Sequence, residues 1–176
     1  RRMTQSKREA PHFYVTIEIA MGEAMPVRAM LNEVADEASR VSVNDLVLKA
    51  VARALQDHRE FNAHLLPDRL EQKEAINLGV AIALPDGLVA PAVLNCEEKS
   101  LAQIARATKD LVARAKSGGL RPEELTEGTF STSNLGMFDV DEFSAIIVPP
   151  QVAILAVGAV KPTPVVRDGQ VVVAEM

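Results

Sequence analysis

The strongest constraint on this chain is a one-sided helix. Leu101, Ile104, Ala105, Thr108, Leu111, Val112 and Ala115 recur at three- and four-residue intervals, with Ser100 placed to cap the start and Gly118-Gly119 to end the run. A helix with one dry face has to lie against a second layer, and the flanking sequence says what that layer is. Before it, residues 75–84 and 88–95 read as strands joined at Pro85-Asp86-Gly87, whose Asp-Gly step favours a hairpin turn. After it, 129–133, 143–148, 152–160 and 165–173 read as further strand, punctuated by Pro149-Pro150, Pro162, Pro164 and Asp168-Gly169. The run 170–176 continues in the same character.

Two more helices precede these elements. Over 23–39, Val27, Met30, Leu31, Val34 and Ala38 make an apolar face opposite Arg28, Glu33, Asp36 and Glu37. Ser42-Val43-Asn44-Asp45 fits a helix start, with Ser42 as cap and Asp45 as the acidic partner three residues on. The helix that follows, through Asp57, carries Leu46, Val47, Leu48, Ala50, Val51, Ala54 and Leu55 on more than one face, so it is expected to be largely buried. Residues 12–20 alternate as a strand, Phe13, Val15, Ile17 and Ile19 against Tyr14, Thr16 and Glu18. This order predicts an α/β fold, a two-layer sandwich with a mixed sheet and its helices mainly on one face.

At 176 residues, 48% hydrophobic and 24% charged, the chain has the composition of one globular domain. A domain of that size buries roughly 70% of its unfolded surface and needs no metal or disulfide to hold a core. The net charge of −5, without a basic cluster, gives no footprint for nucleic acid. One cysteine, Cys96, excludes an internal disulfide framework and fits a reducing compartment. The longest apolar runs, such as 75–84 and 152–160, are about half the ~20 residues of a membrane span. The chain opens on Arg1-Arg2 without an initiator methionine and stops in a strand-like run, so it is expected to be a piece of a longer polypeptide at both ends.

Gly-x-Gly-x-x-Gly, the phosphate-binding Gly-x-x-x-x-Gly-Lys-Ser and Gly-x-Ser-x-Gly do not occur, which removes the usual entry points to nucleotide folds and serine hydrolases. His12, His58 and His64 have no metal-ligand spacing, so no metal is expected. Five segments, taken together and in order, carry a resemblance: 11–16 (Pro-His-Phe-Tyr-Val-Thr), the helix start from Ser42 to Ala50, 87–93, 128–136 (Gly-Thr-Phe-Ser-Thr-Ser-Asn-Leu-Gly) and 149–155 (Pro-Pro-Gln-Val-Ala-Ile-Leu). They are similar to the catalytic domain of dihydrolipoamide acyltransferases, the core components of 2-oxo acid dehydrogenase complexes, and the likeness spans residues 1–176 as one domain, without lipoyl or peripheral subunit-binding domains.

That resemblance implies a chloramphenicol-acetyltransferase-like fold and transfer of an acyl group from a lipoyl thiol, carried on a separate domain, to coenzyme A as co-substrate. It matches Ser133 to the hydroxyl that binds the tetrahedral oxyanion, and Arg28, Ser42, Ser133, Asn134 and Gly158 to coenzyme A contacts. Read from the residues alone, Arg28 is equally a solvated helix residue, Ser42 an N-cap, Asn134 a turn former and Gly158 a close-packing glycine. The family's base is a histidine of a His-x-x-x-Asp-Gly motif, which occurs nowhere in the chain and is expected beyond Met176. His12, within the Pro-His-Phe run, is expected to position a strand near the site. Leu135-Gly136-Met137-Phe138 and Val140-Asp141-Glu142-Phe143 look most like the acetyl-transferring members, with Asp139 standing where glycine is common and Val148 where asparagine precedes the proline pair. The resemblance further implies a homotrimer that builds a cubic or icosahedral core with dehydrogenase and dihydrolipoamide dehydrogenase partners, in bacterial cytoplasm or mitochondrial matrix. Two rivals stay open on sequence: a free-standing acetyltransferase acting on a small hydroxyl acceptor, and a non-catalytic assembly scaffold.

Overall fold

The computed structural model describes residues 2–85 and 87–176; Arg1 and Asp86, the first residue of the expected Asp86-Gly87 turn, lie outside the described residues. The α-helices among the described residues are α1 (Arg2–Glu9), α2 (Ala24–Val34), α3 (Val43–Asp57), α4 (Leu101–Ser117) and α5 (Pro122–Thr126). The strands are β1 (Ala63–Leu65), β2 (Leu70–Gln72), β3 (Leu78–Val80), β4 (Ile82–Leu84), β5 (Gly87–Val89), β6 (Ala92–Val93), β7 (Phe130–Asn134), β8 (Ile154–Val157), β9 (Pro162–Arg167) and β10 (Gln170–Glu175).

The central sheet runs β6-β3-β7-β8, antiparallel between β6 and β3 and parallel across β3-β7-β8, so it is mixed. Leu48, Ala52 and Leu55 of α3 and Ile104 and Leu111 of α4 pack against Ile76, Leu78, Val93, Cys96 and Phe130 to form the core between the two layers. Leu48, Leu78, Ile104 and Leu111 are fully buried, each such side chain contributing about 1.5–3 kcal/mol of transfer free energy. The expected hairpin is one register with a break: Leu78 pairs with Val93 and Ile82 with Val89. At the break the Ala81 N–H leaves the hairpin and donates to the Thr132 carbonyl of β7 at 3.0 Å.

Both anticipated caps form. Ser42 and Asp45 exchange hydrogen bonds at the start of α3, as Ser100 and Gln103 do at α4, and Gly118 closes α4 at φ 75°. Asp45 also accepts from the Thr108 hydroxyl of α4 at 2.6 Å, so the cap doubles as the joint between the two buried helices. The broad burial expected of α3 narrows to one stripe, Asp45, Leu48, Ala52 and Leu55; Ala50 and Ala54 are exposed.

Other expectations are corrected. α2 ends at Val34 rather than near residue 39, because the Asp36 carboxylate accepts from the Ser39 N–H at 2.7 Å and closes a turn. Its apolar face is left uncovered: Val27, Met30, Leu31 and Val34 are exposed. Residues 12–20 and 143–148 join no strand ladder. Alternation, as over 12–20, or an apolar run, as over 143–148, supplies a face to bury, but a strand also needs a neighbour for its backbone groups. Side chains fill that role at one point, where His12 Nε2 accepts from the Ile147 N–H at 3.0 Å and the Ser6 hydroxyl donates to the Ile147 carbonyl at 2.7 Å. His12 Nδ1 lies 2.7 Å from the Ala10 carbonyl, so the network requires the neutral tautomer protonated at Nδ1. The Asp168-Gly169 turn forms as expected, with both residues at positive φ, and joins β9 to β10.

α5, absent from the sequence reading, places Glu124 under α4. Its carboxylate is 2% exposed and is gripped by both terminal nitrogens of Arg114 at 2.6 and 2.7 Å, and by Arg121. The Arg114 hydrogen bonds, reinforced by Arg121 against the opposing effect of burial, hold the Glu124 carboxyl at about 2. Folding therefore lowers this group's affinity for protons, and its stabilisation is complete above the ordinary value of 4.5 and lost as pH falls toward about 2. Glu124→Gln is expected to cost about 3 kcal/mol at neutral pH and to flatten the decline of the denaturation midpoint between pH 5 and about 2; an unaltered acid limb in urea melts would remove Glu124 from that role.

Candidate active site at the end of strand β7

β7 has both edges occupied, Leu78 and Val80 of β3 opposite Phe130 and Thr132 on one side, and Ile154 through Val157 opposite Ser131 through Asn134 on the other. Its three hydroxyl residues are consequently fixed, and they differ in one respect. The Ser131 hydroxyl is buried and donates to Gln151 Oε1 at 2.7 Å, and the Thr132 hydroxyl is buried against the Gly79 carbonyl at 3.3 Å. Ser133 is half-buried, and among the described residues its hydroxyl has no hydrogen-bond partner. Alternation along the strand puts Ser133 on the face of Ser131, opposite Phe130 and the helices.

The four other residues expected at the site surround this strand end. Asn134 is bent into the loop by the Gly136 N–H, which donates to its Oδ1 at 2.8 Å, and its Nδ2 donates to Asn44 Oδ1 of α3 at 3.1 Å. Ser42 stands two residues before Asn44 as the α3 cap. Arg28 Nε donates to the Val41 carbonyl at 2.9 Å, which seats the α2 arginine beside Ser42, and Asn32 reinforces the same joint through both Val41 backbone groups. Gly158 follows Val157, the residue paired with Asn134. The structure thus brings Arg28, Ser42, Ser133, Asn134 and Gly158 to one edge, and Asn44, which the sequence reading did not single out, links the helix side to the strand side.

Gly158 is also required by packing. A Cβ there would lie 2.0 Å from the Asp141 carbonyl oxygen, and one on Gly136 would lie 2.7 Å from the Gly158 carbonyl, so the loop after β7 crosses the end of β8 backbone against backbone. Lys161 clamps that loop through Asp139 at 2.9 Å and Asp141 at 2.6 Å. Asp139 adopts φ 61°, the left-handed region glycine enters most freely.

The other reactive side chains lie elsewhere. His64 is buried 3.0 Å from the Gly128 carbonyl, and exposed His58 is 3.7 Å from Glu60. Burial pushes the Cys96 thiol up to about 11, which keeps it protonated and unreactive. Among the described residues no group of His, Cys, Asp or Glu could hold a metal ion, and no helix is long and apolar enough to cross a membrane. At the parallel edge of an α/β sheet, strand carboxyl ends beside a helix N-terminus form a natural ligand crevice, and here the Asn134–Asn44 amide pair ties that helix end to the strand whose preceding residue, on the other face, is Ser133.

The model of the 2-oxoacid dehydrogenases acyltransferase catalytic domain matches residues 1–176. The chain belongs to this acyltransferase family. Over 157 residues, 89% of its length, it is 45% identical to the mitochondrial dihydrolipoyllysine-residue acetyltransferase component of the pyruvate dehydrogenase complex of Schizosaccharomyces pombe, covering 32% of that protein. It superposes on an Azotobacter vinelandii dihydrolipoamide acetyltransferase at a TM-score of 0.93 with 30% identity, over 99% of this chain and 73% of that one. The cubic core of a pyruvate dehydrogenase multienzyme complex matches with the same TM-score, identity and coverage. The mixed two-layer sheet is therefore the chloramphenicol-acetyltransferase-like fold of these catalytic cores. Curated relatives are longer, the chain spanning 32% to 43% of those compared.

The close approach at Gly158 makes a direct test of the geometry possible. Gly158→Ala is expected to lower stability by about 2 kcal/mol through overpacking against Asp141, read as a shift in the urea midpoint; an unchanged midpoint would mean that the 135–141 loop does not cross β8 as described.

Proposed function

We propose that this domain transfers an acyl group, acetyl in the reading its relatives' names support, from the thioester of an S-acyl-dihydrolipoyl arm to the thiol of coenzyme A, within the core of a 2-oxo acid dehydrogenase complex. The observation that carries the reading is the Ser133 hydroxyl, without a hydrogen-bond partner among the described residues and held on a strand with both edges paired, between satisfied hydroxyls on one side and the Asn134 turn on the other. In the proposed reaction the coenzyme A thiolate adds to the thioester carbon, the carbonyl oxygen gains the negative charge, and Ser133 O–H donates to it. Collapse re-forms the carbonyl, breaks the carbon–sulfur bond to the lipoyl arm and releases that sulfur to take a proton. A donor fixed before charge develops needs no reorganisation, which is the source of its effect.

The thiol's proton needs a base, and none of His12, His58 and His64 bonds to Ser133. In this proposal the base is the histidine of a His-x-x-x-Asp-Gly segment lying outside these 176 residues. Arg28, Ser42, Asn134 and Gly158 are proposed to bind coenzyme A: Arg28 and the N-terminus of the 15-residue α3 suit its phosphates, and the Asn134 and Gly158 edge its pantetheine arm. The lipoyl group would arrive on a separate domain.

A homotrimer assembling into a larger core, served by dehydrogenase and dihydrolipoamide dehydrogenase components in bacterial cytoplasm or mitochondrial matrix, is part of the same proposal. It is supported by two sets of uncovered apolar side chains: Phe13 at 86% exposure, Val15, Ile17 and Ile19 on one segment, and Val166, Val171 and Val173 on the β9-β10 hairpin. In the intact protein, Ser133→Ala is expected to lower kcat for acetyl transfer from S-acetyl-dihydrolipoamide to coenzyme A by about 10²–10³ with the assembly intact; wild-type turnover would end the oxyanion assignment. Equilibrium sedimentation is expected to give a mass of three chains or a multiple of it, and a single-chain mass across a broad concentration range would refute the trimer.

A further inference from the structure

We infer that Asn44 is a positioning residue, which sets the strand end carrying Ser133 against the N-terminus of α3. The inference rests on the oxyanion reading of Ser133 and goes beyond it in assigning a role to a residue that touches neither reacting group.

Asn134 Oδ1 is committed as acceptor to the Gly136 N–H at 2.8 Å, so the amide can turn only its Nδ2 toward α3. There it meets Asn44 Oδ1 at 3.1 Å. Asn44 occupies the second position of α3, inside the reciprocal bonds between Ser42 and Asp45. Asp45 is itself 2% exposed and takes the Thr108 hydroxyl of α4 at 2.6 Å. Asn44 therefore extends from a helix end that is locked on its far side to the core, and the Asn134 amide it orients is covalently next to Ser133. The sheet fixes β7 along its length through β3 and β8, but ladder bonds to β8 end at the Asn134 level, with Leu135 N–H to the Val157 carbonyl at 3.0 Å as the last. Among the described residues, the side-chain tie between the end of β7 and the helix layer is this amide pair. A donor that must sit about 3 Å from a developing oxyanion is sensitive to sub-ångström drift, so loosening the tie affects the transition state more than the bound ground state.

The test uses the intact acyltransferase, acetyl transfer from S-acetyl-dihydrolipoamide to coenzyme A, and four proteins: Asn44→Ala, Asn44→Asp, Ser133→Ala and the Asn44→Ala/Ser133→Ala pair. Asn44→Ala is expected to lower kcat about tenfold, with KM for S-acetyl-dihydrolipoamide and the melting temperature close to wild type. Asn44→Asp keeps an acceptor for Asn134 Nδ2 and suits a helix first turn, so it is expected to retain most of kcat, even where its charge raises KM for coenzyme A. In the pair, the Asn44 change is expected to add nothing to the loss in Ser133→Ala, which a merely structural role would not produce. Unchanged kcat in Asn44→Ala, equal loss in Asn44→Asp, or a full tenfold further loss in the pair would each overturn the positioning role while Ser133→Ala stays impaired. Should Asn44→Ala fail to assemble, the Asn44→Asp result decides alone. Wild-type turnover in Ser133→Ala would instead bring down the oxyanion reading, and this one with it.

Discussion

Everything at the candidate site depends on β7 being an interior strand. With β3 on one edge and β8 on the other, both in parallel, its five residues have no freedom to shift register. A one-residue slip would exchange the two faces, drawing Phe130 out of the core and pointing Ser133 at α3 and α4. The core residues Leu78 and Phe130 and the candidate hydroxyl are thus specified by the same pairing. Stability and site geometry are one constraint here.

The second layer of control is polar. Asp45 and Thr108 bind α3 to α4, Gln151 holds Ser131, and Glu124 gathers Arg114 and Arg121 beneath the end of α4. Each of these buried groups has at least one partner supplied by another element, which is the condition under which burial of polar atoms specifies one arrangement instead of destabilising it. The arrangement also separates jobs. Buried hydroxyls and carboxylates are consumed in structure, and the Ser133 hydroxyl is left over at an accessible strand end.

How much of this was readable in the residues follows from what each signal needs. Capping boxes at Ser42 and Ser100, the Gly118 stop and the Asp168-Gly169 turn are local, with both partners within a few residues, and all four form. The alternation over 12–20 and the apolar run 143–148 promised strands, yet β structure depends on a neighbour that composition does not name, and there the backbone meets side chains such as His12 and Ser6. α5 was missed because five residues are too few for a period, although Pro122 followed by Glu123 and Glu124 is a helix-start signal in hindsight. At the site, Arg28, Ser42, Ser133, Asn134 and Gly158 entered through the family resemblance. Asn44 lay inside a quoted motif and was passed over, since its partner stands 90 residues away.

The segment from His12 to Met21 has a property distinct from its exposure. It is fastened at one end by His12 and Ser6 to Ile147, at the middle by the Thr16 hydroxyl to Glu142, and at the other end by the Met21 N–H to the Glu175 carbonyl. A free tail surrenders about 1–2 kcal/mol of backbone entropy per residue when it is laid onto a surface. This one is a strap already drawn taut, so in the proposed trimer most of that entropy has been given up within the subunit, before any neighbour arrives. Contact along Phe13, Val15, Ile17 and Ile19 would then return its hydrophobic free energy nearly undiminished.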